Sequence, residues 1–439
     1  MLSILRNRTY RHLFAAQIVA LTGTGLATIA LGLLAYDLAG YAAGMVLGTA
    51  LTIKMVAYVT IAPLAAAFAE QLDRRKVLVA LDLVRAAVAV CLPFVTEVWQ
   101  VYVLIFVLQS ASAGFTPAFQ ATIPDVLPDE QDYTKALSLS RLAVDMESLL
   151  SPMLAAVLLL LVSFDSLFWG TSIGFVASAL LVVSVTFPSP KPKERRGIYD
   201  RTTRGIRIYL KTPRLRGLLA LSWSAAALSS MVIVNTVVIV RTDLGLSESA
   251  VAVALAGFGG GSMLAAFALP PLLQKIEDRK VMLTGAALGT AAMAIAALLA
   301  AAIPVSLMLL TLIWAFVGFG YSTTLTPSGR LLTRSAHAED RPAVFAAQFT
   351  LSHACWLVLY PLAGWLMTSY GATVALAWMA TAAVFGVLGA LIAWPRTDHG
   401  PVQHDHPDLP KDHPHVAGSA THEHPIIIDD LHPSYPRKS

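Results

Sequence analysis

Twelve long apolar stretches, six on either side of one basic block, constrain this chain more than any other feature. A helix needs about 20 mostly apolar residues to cross a bilayer. The first six stretches are 13–38, 43–69, 77–95, 101–121, 136–162 and 167–187. The second six are 218–240, 251–273, 281–302, 305–326, 343–368 and 373–394. The block between them, 188–216, holds ten of the 31 Lys and Arg residues. Clustered Lys and Arg beside membrane spans stay on the cytoplasmic side. With the block inside, the inner loops also collect Arg6, Arg8, Arg11, Arg74, Arg75, Lys76, Lys135, Lys275, Arg279, Lys280, Arg330, Arg334 and Arg341. The outer connections hold only Arg241. The sequence therefore predicts an all-α, multi-pass protein of the inner (plasma) membrane with both termini cytoplasmic.

Composition agrees. Charged residues make up 13% of the chain, against about 25% in an ordinary soluble domain, too few to coat a water-soluble body. The formal charge of +4 lies in loops beside spans, so nucleic acid is excluded as a partner. Residues 1–10 are polar, so no cleavable leader is expected. Cys91 and Cys355 both fall in apolar stretches, which predicts no disulfide.

The pattern divides the chain into a six-helix half (1–187), a basic linker (188–216), a second six-helix half (217–395) and a tail (396–439). The halves repeat. The run from Gln71 to Val77 after the second span is matched by Lys275 to Val281 after the eighth, and Glu130 and Pro152 are spaced as Glu339 and Pro361 are. Parallel repeats of this kind imply a pseudo-two-fold axis along the membrane normal.

This layout, with a basic loop after the second span, resembles the major facilitator superfamily. That family's loop reads G-x-x-x-D-R-x-x-R-R/K; here Ala66, Glu70, Gln71, Arg74 and Arg75 occupy the corresponding places, with Gly, Asp and the first Arg replaced. Asp82, Arg85 and the run from Phe115 to Asp125 resemble the efflux branch that includes the enterobactin exporter. Ser151, Pro152 and Ala155 resemble the fifth-helix proline motif of its antiporters. The resemblance implies a twelve-helix fold in two six-helix repeats. It also implies a structural or gating role for Glu70, Arg74, Arg75, Asp82, Arg85 and Pro152.

The tail is polar and Pro-rich, without helical period, and is expected to be disordered. It carries eight of the eleven histidines, among them the pairs His404 and His406, His413 and His415, His422 and His424. Imidazole suits Ni²⁺, Zn²⁺ and Cu²⁺, so these six are candidate metal ligands. A soluble polar tail or the remnant of a tag is the plainer reading. Together with the membrane body, the tail resembles the His-tailed nickel-resistance exporters of the same superfamily.

Ionisable residues inside a membrane are costly and point to function. The candidates are Lys54, Asp82, Arg85, Arg141, Asp145, Glu147 and His353. Asp82 and Arg85 lie near the inner end of their span and are expected to pair with the 74–76 loop. On the fifth span, Arg141, Asp145 and Pro152 share one helical face, whereas Glu147 is turned away from Asp145 by about 200°. Asp145 is thus the first choice for a proton site, with Arg141 as its counter-ion. His353 is a candidate proton carrier or metal ligand. In the family resembled, the first, fourth, seventh and tenth helices line the cavity; here they offer neutral groups, among them Gln109 and Asn235.

No phosphate-binding glycine loop is present; Gly257 to Gly261 sits inside the eighth span, where small residues allow close packing. An ion gradient must then drive transport, and neither enzymatic activity nor a resident cofactor is expected. The leading expectation is a monomeric metal/proton antiporter exporting Ni²⁺, with Co²⁺ beside it, the metal being both substrate and tail ligand. Two readings compete with it: a proton-coupled exporter of a small organic molecule such as a siderophore or drug, and a membrane-anchored metal buffer or sensor.

Overall fold

Helices form where the apolar stretches fall, and polar caps set several of their starts. In the computed structural model, which describes residues 2–68, 73–129, 132–133, 136, 139–140, 143, 147, 150–151, 154–155, 157–186, 198–337, 340–396, 402–405, 421–424, 426–428 and 432, the first long helix is α1 (Arg8–Ala39). The Asn7 side chain accepts the Tyr10 N–H at 3.1 Å and caps it. Gly40, with φ 54°, turns the chain into α2 (Ala43–Phe68). Asp73 accepts the amides of Arg75 and Lys76 and starts α3 (Arg74–Cys91). Those same hydrogen bonds, the one from Lys76 foremost, hold the Asp73 carboxyl below its ordinary range. A reciprocal Glu97–Gln100 capping box starts α4 (Val98–Val126).

The chain continues with α5 (Phe164–Val183), α6 (Ile198–Lys211), α7 (Pro213–Val238), α8 (Glu248–Leu272), α9 (Asp278–Ala302), α10 (Leu307–Leu325), α11 (Ser328–Arg334) and α12 (Arg341–Ala393). Among the described residues nine helical runs are long and apolar enough to cross a membrane. Two of them, Arg8–Ile61 and Ala343–Ala393, have 54 and 51 residues, enough for two crossings each. The second breaks at Gly371, whose φ of 80° a side chain would resist. The fifth expected span, 136–162, lies largely outside the described residues; at its described positions it is helical through 158.

Close helix contacts rest on small residues, as expected where lipid supplies no hydrophobic drive between helices. A Cβ on Gly257 would meet the Thr311 carbonyl at 2.5 Å, and Ser262 donates to the Gly318 carbonyl at 2.8 Å, so the glycine run of α8 packs on α10. In the first half, Thr171 of α5 donates to the Gly23 carbonyl of α1 at 2.8 Å. Both cysteines are free, Cys91 exposed and Cys355 buried.

Two expectations need correction at the end of the bundle that carries the linker. The basic stretch is not a plain hinge: residues 198–211 form α6, and α7 already starts at Pro213. Gly205, Ile208, Tyr209 and Thr212 are buried at helical spacing, an apolar stripe that the surrounding charges masked. The tail is not disordered at its described residues either. Strand β1 (Val402–Asp405) pairs antiparallel with β2 (Thr421–His424), and Ile426 and Ile428 are buried beyond it. Three successive β-branched isoleucines, 426–428, supply an apolar anchor that the tail's average polarity hid.

Candidate functional site

One group of ionisable residues inside the membrane gathers where α2 passes the first part of α12. Lys54 of α2 lies with its Nζ 5.7 Å from the centre of the Tyr58 ring, within cation–π range. Tyr58 meets two rings of α12 edge-on, Phe349 at 5.8 Å and His353 at 5.6 Å. Phe349 and His353 lie 4.0 Å apart, and Trp356 follows 6.2 Å from His353. The Trp356 indole donates to Ser229 of α7 at 2.9 Å. His353 Nδ1 stands 2.7 Å from the Phe349 carbonyl. A carbonyl can only accept, so Nδ1 carries the proton and Nε2 is the acceptor of the neutral ring.

Glu147 supplies the acid. Its carboxylate accepts the Ser151 hydroxyl at 3.5 Å and lies within the field of Lys54. It reaches this place because position 25 of α1 is glycine: a Cβ there would overlap Glu147 Oε1 and Ser151 Oγ. Lys54, Tyr58, Glu147, Phe349 and His353 are all half-buried. The arrangement offers one titratable acid, one cation, one imidazole and an aromatic wall, which together can hold a proton or an aromatic or charged solute.

Other expected site residues fall elsewhere. Arg141, Asp145, Pro152, Glu70, His406, His413 and His415 lie outside the described residues, and of His404, His422 and His424 only the backbone is described. Gln109 is buried, and its Oε1 has no hydrogen-bond partner among the described residues. Asn235 does not line an open path: it is fully buried and donates to the Ala363 carbonyl at 3.0 Å. A Cβ on Gly44 would meet its Oδ1 at 2.6 Å, so it is part of a tight helix crossing.

Asp82 and Arg85 do not pair with the 74–76 loop. They pair with each other, Ser178 of α5 donates to Asp82 at 2.8 Å, and the guanidinium lies between the rings of Phe115 and Phe175 at 4.2 and 4.5 Å. The i,i+3 spacing places both on one face of α3, deeper than the loop can reach. Arg75 instead donates to the Val183 carbonyl at the end of α5.

Sequence reasoning set Glu147 aside because it points away from Asp145. The signal that could have found it is the mid-span cation Lys54, which needs an acid and has none on its own helix. It also passed over Asp278, which is buried at the linker end and bound to Arg334 at 3.0 Å and Arg330 at 3.6 Å. The repeated loop sequence after the eighth span marked that position.

At the opposite, far end the halves are fastened together. Tyr41 donates to the Met367 carbonyl at 3.1 Å, Thr242 donates to the Tyr36 hydroxyl at 3.2 Å, and Arg241 lies 5.2 Å from the Tyr36 ring centre. Gly44 and Gly48 of α2 leave room there for Gly364 and Tyr360 of α12.

The sequence profile of the Major Facilitator Superfamily matches residues 13–239 and again 218–424. Macrolide efflux protein A of Streptococcus pyogenes is 26% identical over 181 residues, 40% of this chain and 44% of that protein. Its namesake from Enterococcus faecalis is 26% identical over 152 residues, 32% of this chain and 47% of that protein. The match thus spans under half the length of either relative. Among solved structures, a bacterial homolog of the human lysosomal transporter Spinster, inward-facing and unoccupied, superposes with a TM-score of 0.65 at 13% identity, covering 88% of this chain and 95% of that one. A mutant of the nucleoside transporter NupG gives 0.64 at 14% identity, covering 88% and 100%.

Proposed function

Because this chain belongs to the Major Facilitator Superfamily, we propose that it is a proton-coupled exporter of a small organic molecule. Glu147 is its proton-binding group and the Tyr58–Phe349–His353–Trp356 wall its solute site. The observation that carries this is the Lys54 ammonium, which stands by the Tyr58 ring of that wall and whose field reaches the Glu147 carboxyl. A carboxyl within a neighbouring cation's field responds to whatever else enters the site, so proton and solute compete there. Likeness to macrolide efflux proteins supports the export direction and the organic substrate class. A naked divalent ion is disfavoured beside Lys54, which repels it. The linker end faces the cytoplasm of the inner membrane, by the distribution of basic loops. With the far end fastened, solute then enters from the cytoplasm, and proton return from outside drives its release.

The test is uptake into everted vesicles of a radiolabelled macrolide and, separately, of ⁶³Ni²⁺, each with a proton gradient imposed or collapsed. Gradient-dependent macrolide uptake is the expected result. Ni²⁺ uptake without macrolide uptake overturns the reading.

A second reading, Ni²⁺ export with Co²⁺ beside it, is favoured by the histidine-rich tail and by the single membrane imidazole, His353. Borderline metals prefer imidazole, and metal binding requires its neutral form. On this reading His353→Ala lowers Ni²⁺ efflux with the tail intact. Undiminished Ni²⁺ efflux in that variant removes His353 from the path.

A further inference from the structure

The chain leaves the linker end of the second half at Trp394 and returns to it at Ile426. Trp394 is fully buried, and its carbonyl accepts the Arg279 Nε–H at 2.9 Å, which fixes the point of departure. In the ribbon, β1 and β2 pair antiparallel with Val402 opposite His424, so the returning chain comes back beside the outgoing one. Only Pro425 separates β2 from Ile426. Ile426 and Ile428 are 2% and 4% exposed, and Ile427 between them is half-buried. That is the alternation of an extended segment seated on one face.

The seat holds Ile208 and Tyr209 of α6, Leu215 of α7, Leu331 of α11, Val344 of α12 and Trp394. Among the described residues this cluster draws nothing from the first half. Helix α6 has 14 residues, and isolated helices shorter than about 12–15 residues are marginal in water. Its apolar stripe must therefore be covered for it to form. Arg204 Nε donates to Asp340 at 2.6 Å, and a Cβ on Gly205 would overlap the Ala343 carbonyl, so α6 lies directly on the start of α12. Tyr209 donates its hydroxyl to Gln348 of α12, and Gln348 in turn donates to Ser222 of α7 at 3.4 Å. The next residue is Phe349, whose ring lies 4.0 Å from His353.

We propose that segment 426–428 is an intramolecular latch of the second half. Seated, it completes the apolar cover of α6 and holds that helix against the start of α12. Unseated, it releases α6 and, through the hydrogen bonds of Tyr209 and Gln348, loosens the part of α12 that carries Phe349 and His353. The cluster takes nothing from the first half, so the latch acts on one body and does not bridge the two. Its action does not depend on which solute the membrane body exports.

The test is hydrogen exchange of the purified full-length protein in detergent, read in segments 204–211 and 344–353, with 9–38 of the first half as reference. Ile426→Asp with Ile428→Asp should speed exchange in 204–211 by about tenfold or more, speed it less in 344–353, and leave 9–38 unchanged. Ile426→Ala with Ile428→Ala, which buries no charge, should give the same pattern at smaller size and decides the matter if the Asp pair does not accumulate. Ile427→Asp, on the less buried side, should have a clearly smaller effect than the Asp pair. Tyr209→Phe keeps the ring but removes the hydrogen bond to Gln348; in that background the paired substitutions should still speed 204–211 without a further change in 344–353. The proposal is overturned if the paired substitutions leave 204–211 unchanged or loosen 9–38 as much. It is equally overturned if Ile427→Asp acts as strongly as the Asp pair, or if 344–353 responds undiminished in the Tyr209→Phe background.

Discussion

The two halves place their charges in opposite parts of the molecule. The spans of the first half hold Lys54, Asp82, Arg85, Arg141, Asp145 and Glu147, besides Asp37 at a span's edge. The spans of the second half hold no Asp, Glu, Lys or Arg, and one histidine, His353. Its ion pairs among the described residues lie instead at the linker end, where Asp278 binds Arg330 and Arg334, and Asp340 binds Arg204. One half carries the charges inside the bilayer; the other adds aromatic and imidazole rings there and is clasped from its end. A half without internal charge can move as a packed body without exposing an ion to lipid, which would cost several kcal/mol. The half with internal charge must satisfy each one, and Arg85 between two phenylalanines and beside Asp82 is how it does so.

This contrast is open to attack at several points. The largest effect is expected from Arg85→Ala, which leaves Asp82 buried with Ser178 as its remaining partner. Breaking a buried pair from one side costs about 3–5 kcal/mol, so thermal denaturation in detergent should fall steeply and membrane abundance with it. An unchanged melting temperature removes the first half's need for internal neutralisation. Asp278→Asn, at the linker end of the second half, leaves Arg330 and Arg334 free to hydrate. It should cost about 1.5–3 kcal/mol, the range of a hydrogen bond to a charged group. A loss as large as that of Arg85→Ala would erase the distinction between the halves.

The far-end crossing tests the idea that the halves move as bodies. A Cβ at Gly364 meets the Gly44 backbone, and overpacking of this kind costs about 1–3 kcal/mol. Gly364→Ala should therefore part the far end. The readout is a cysteine placed at Thr242 in a Cys91→Ser background, labelled by a membrane-impermeant maleimide from outside. Faster labelling than in the parent is expected; equal labelling means that the crossing yields in some other way.

The smallest effect belongs to Asp73. Its carboxyl is held below the ordinary value by the Lys76 and Arg75 amides. A depressed acid stabilises above its unfolded pKa, about 3.9, and that contribution is lost as pH falls through the lower folded value. Asp73→Ala should speed hydrogen exchange at the Arg75 and Lys76 amides at neutral pH and make no difference once the pH lies below the folded-state value of the carboxyl. A difference that persists in acid assigns the cap to something other than the charge.

Much of the fold was legible because a bilayer leaves few choices: apolar runs of span length become helices, and loops declare themselves by charge. What escaped was carried by short patterns inside biased segments. The stripe Gly205, Ile208, Tyr209 and Thr212 lies within a run of arginines, and isoleucines 426–428 lie within a run of histidines. The site was half legible. Lys54 and His353 come together through Tyr58 as candidates of one pathway, but the choice of acid depended on which face of the fifth span meets α1 and α2. Periodicity separates Asp145 from Glu147 without saying which of them faces inward; Gly25, opposite Glu147, is the local reason that Glu147 fits there.

The most direct measurement compares Glu147→Gln and Asp145→Asn in everted vesicles, following a radiolabelled macrolide in two modes. In one mode a pH gradient drives accumulation; in the other, solute exchanges for solute without net proton movement. If Glu147 is the proton site, Glu147→Gln abolishes gradient-driven accumulation while keeping exchange, and Asp145→Asn keeps both. Gradient-driven accumulation that survives in Glu147→Gln and is lost in Asp145→Asn would contradict the account.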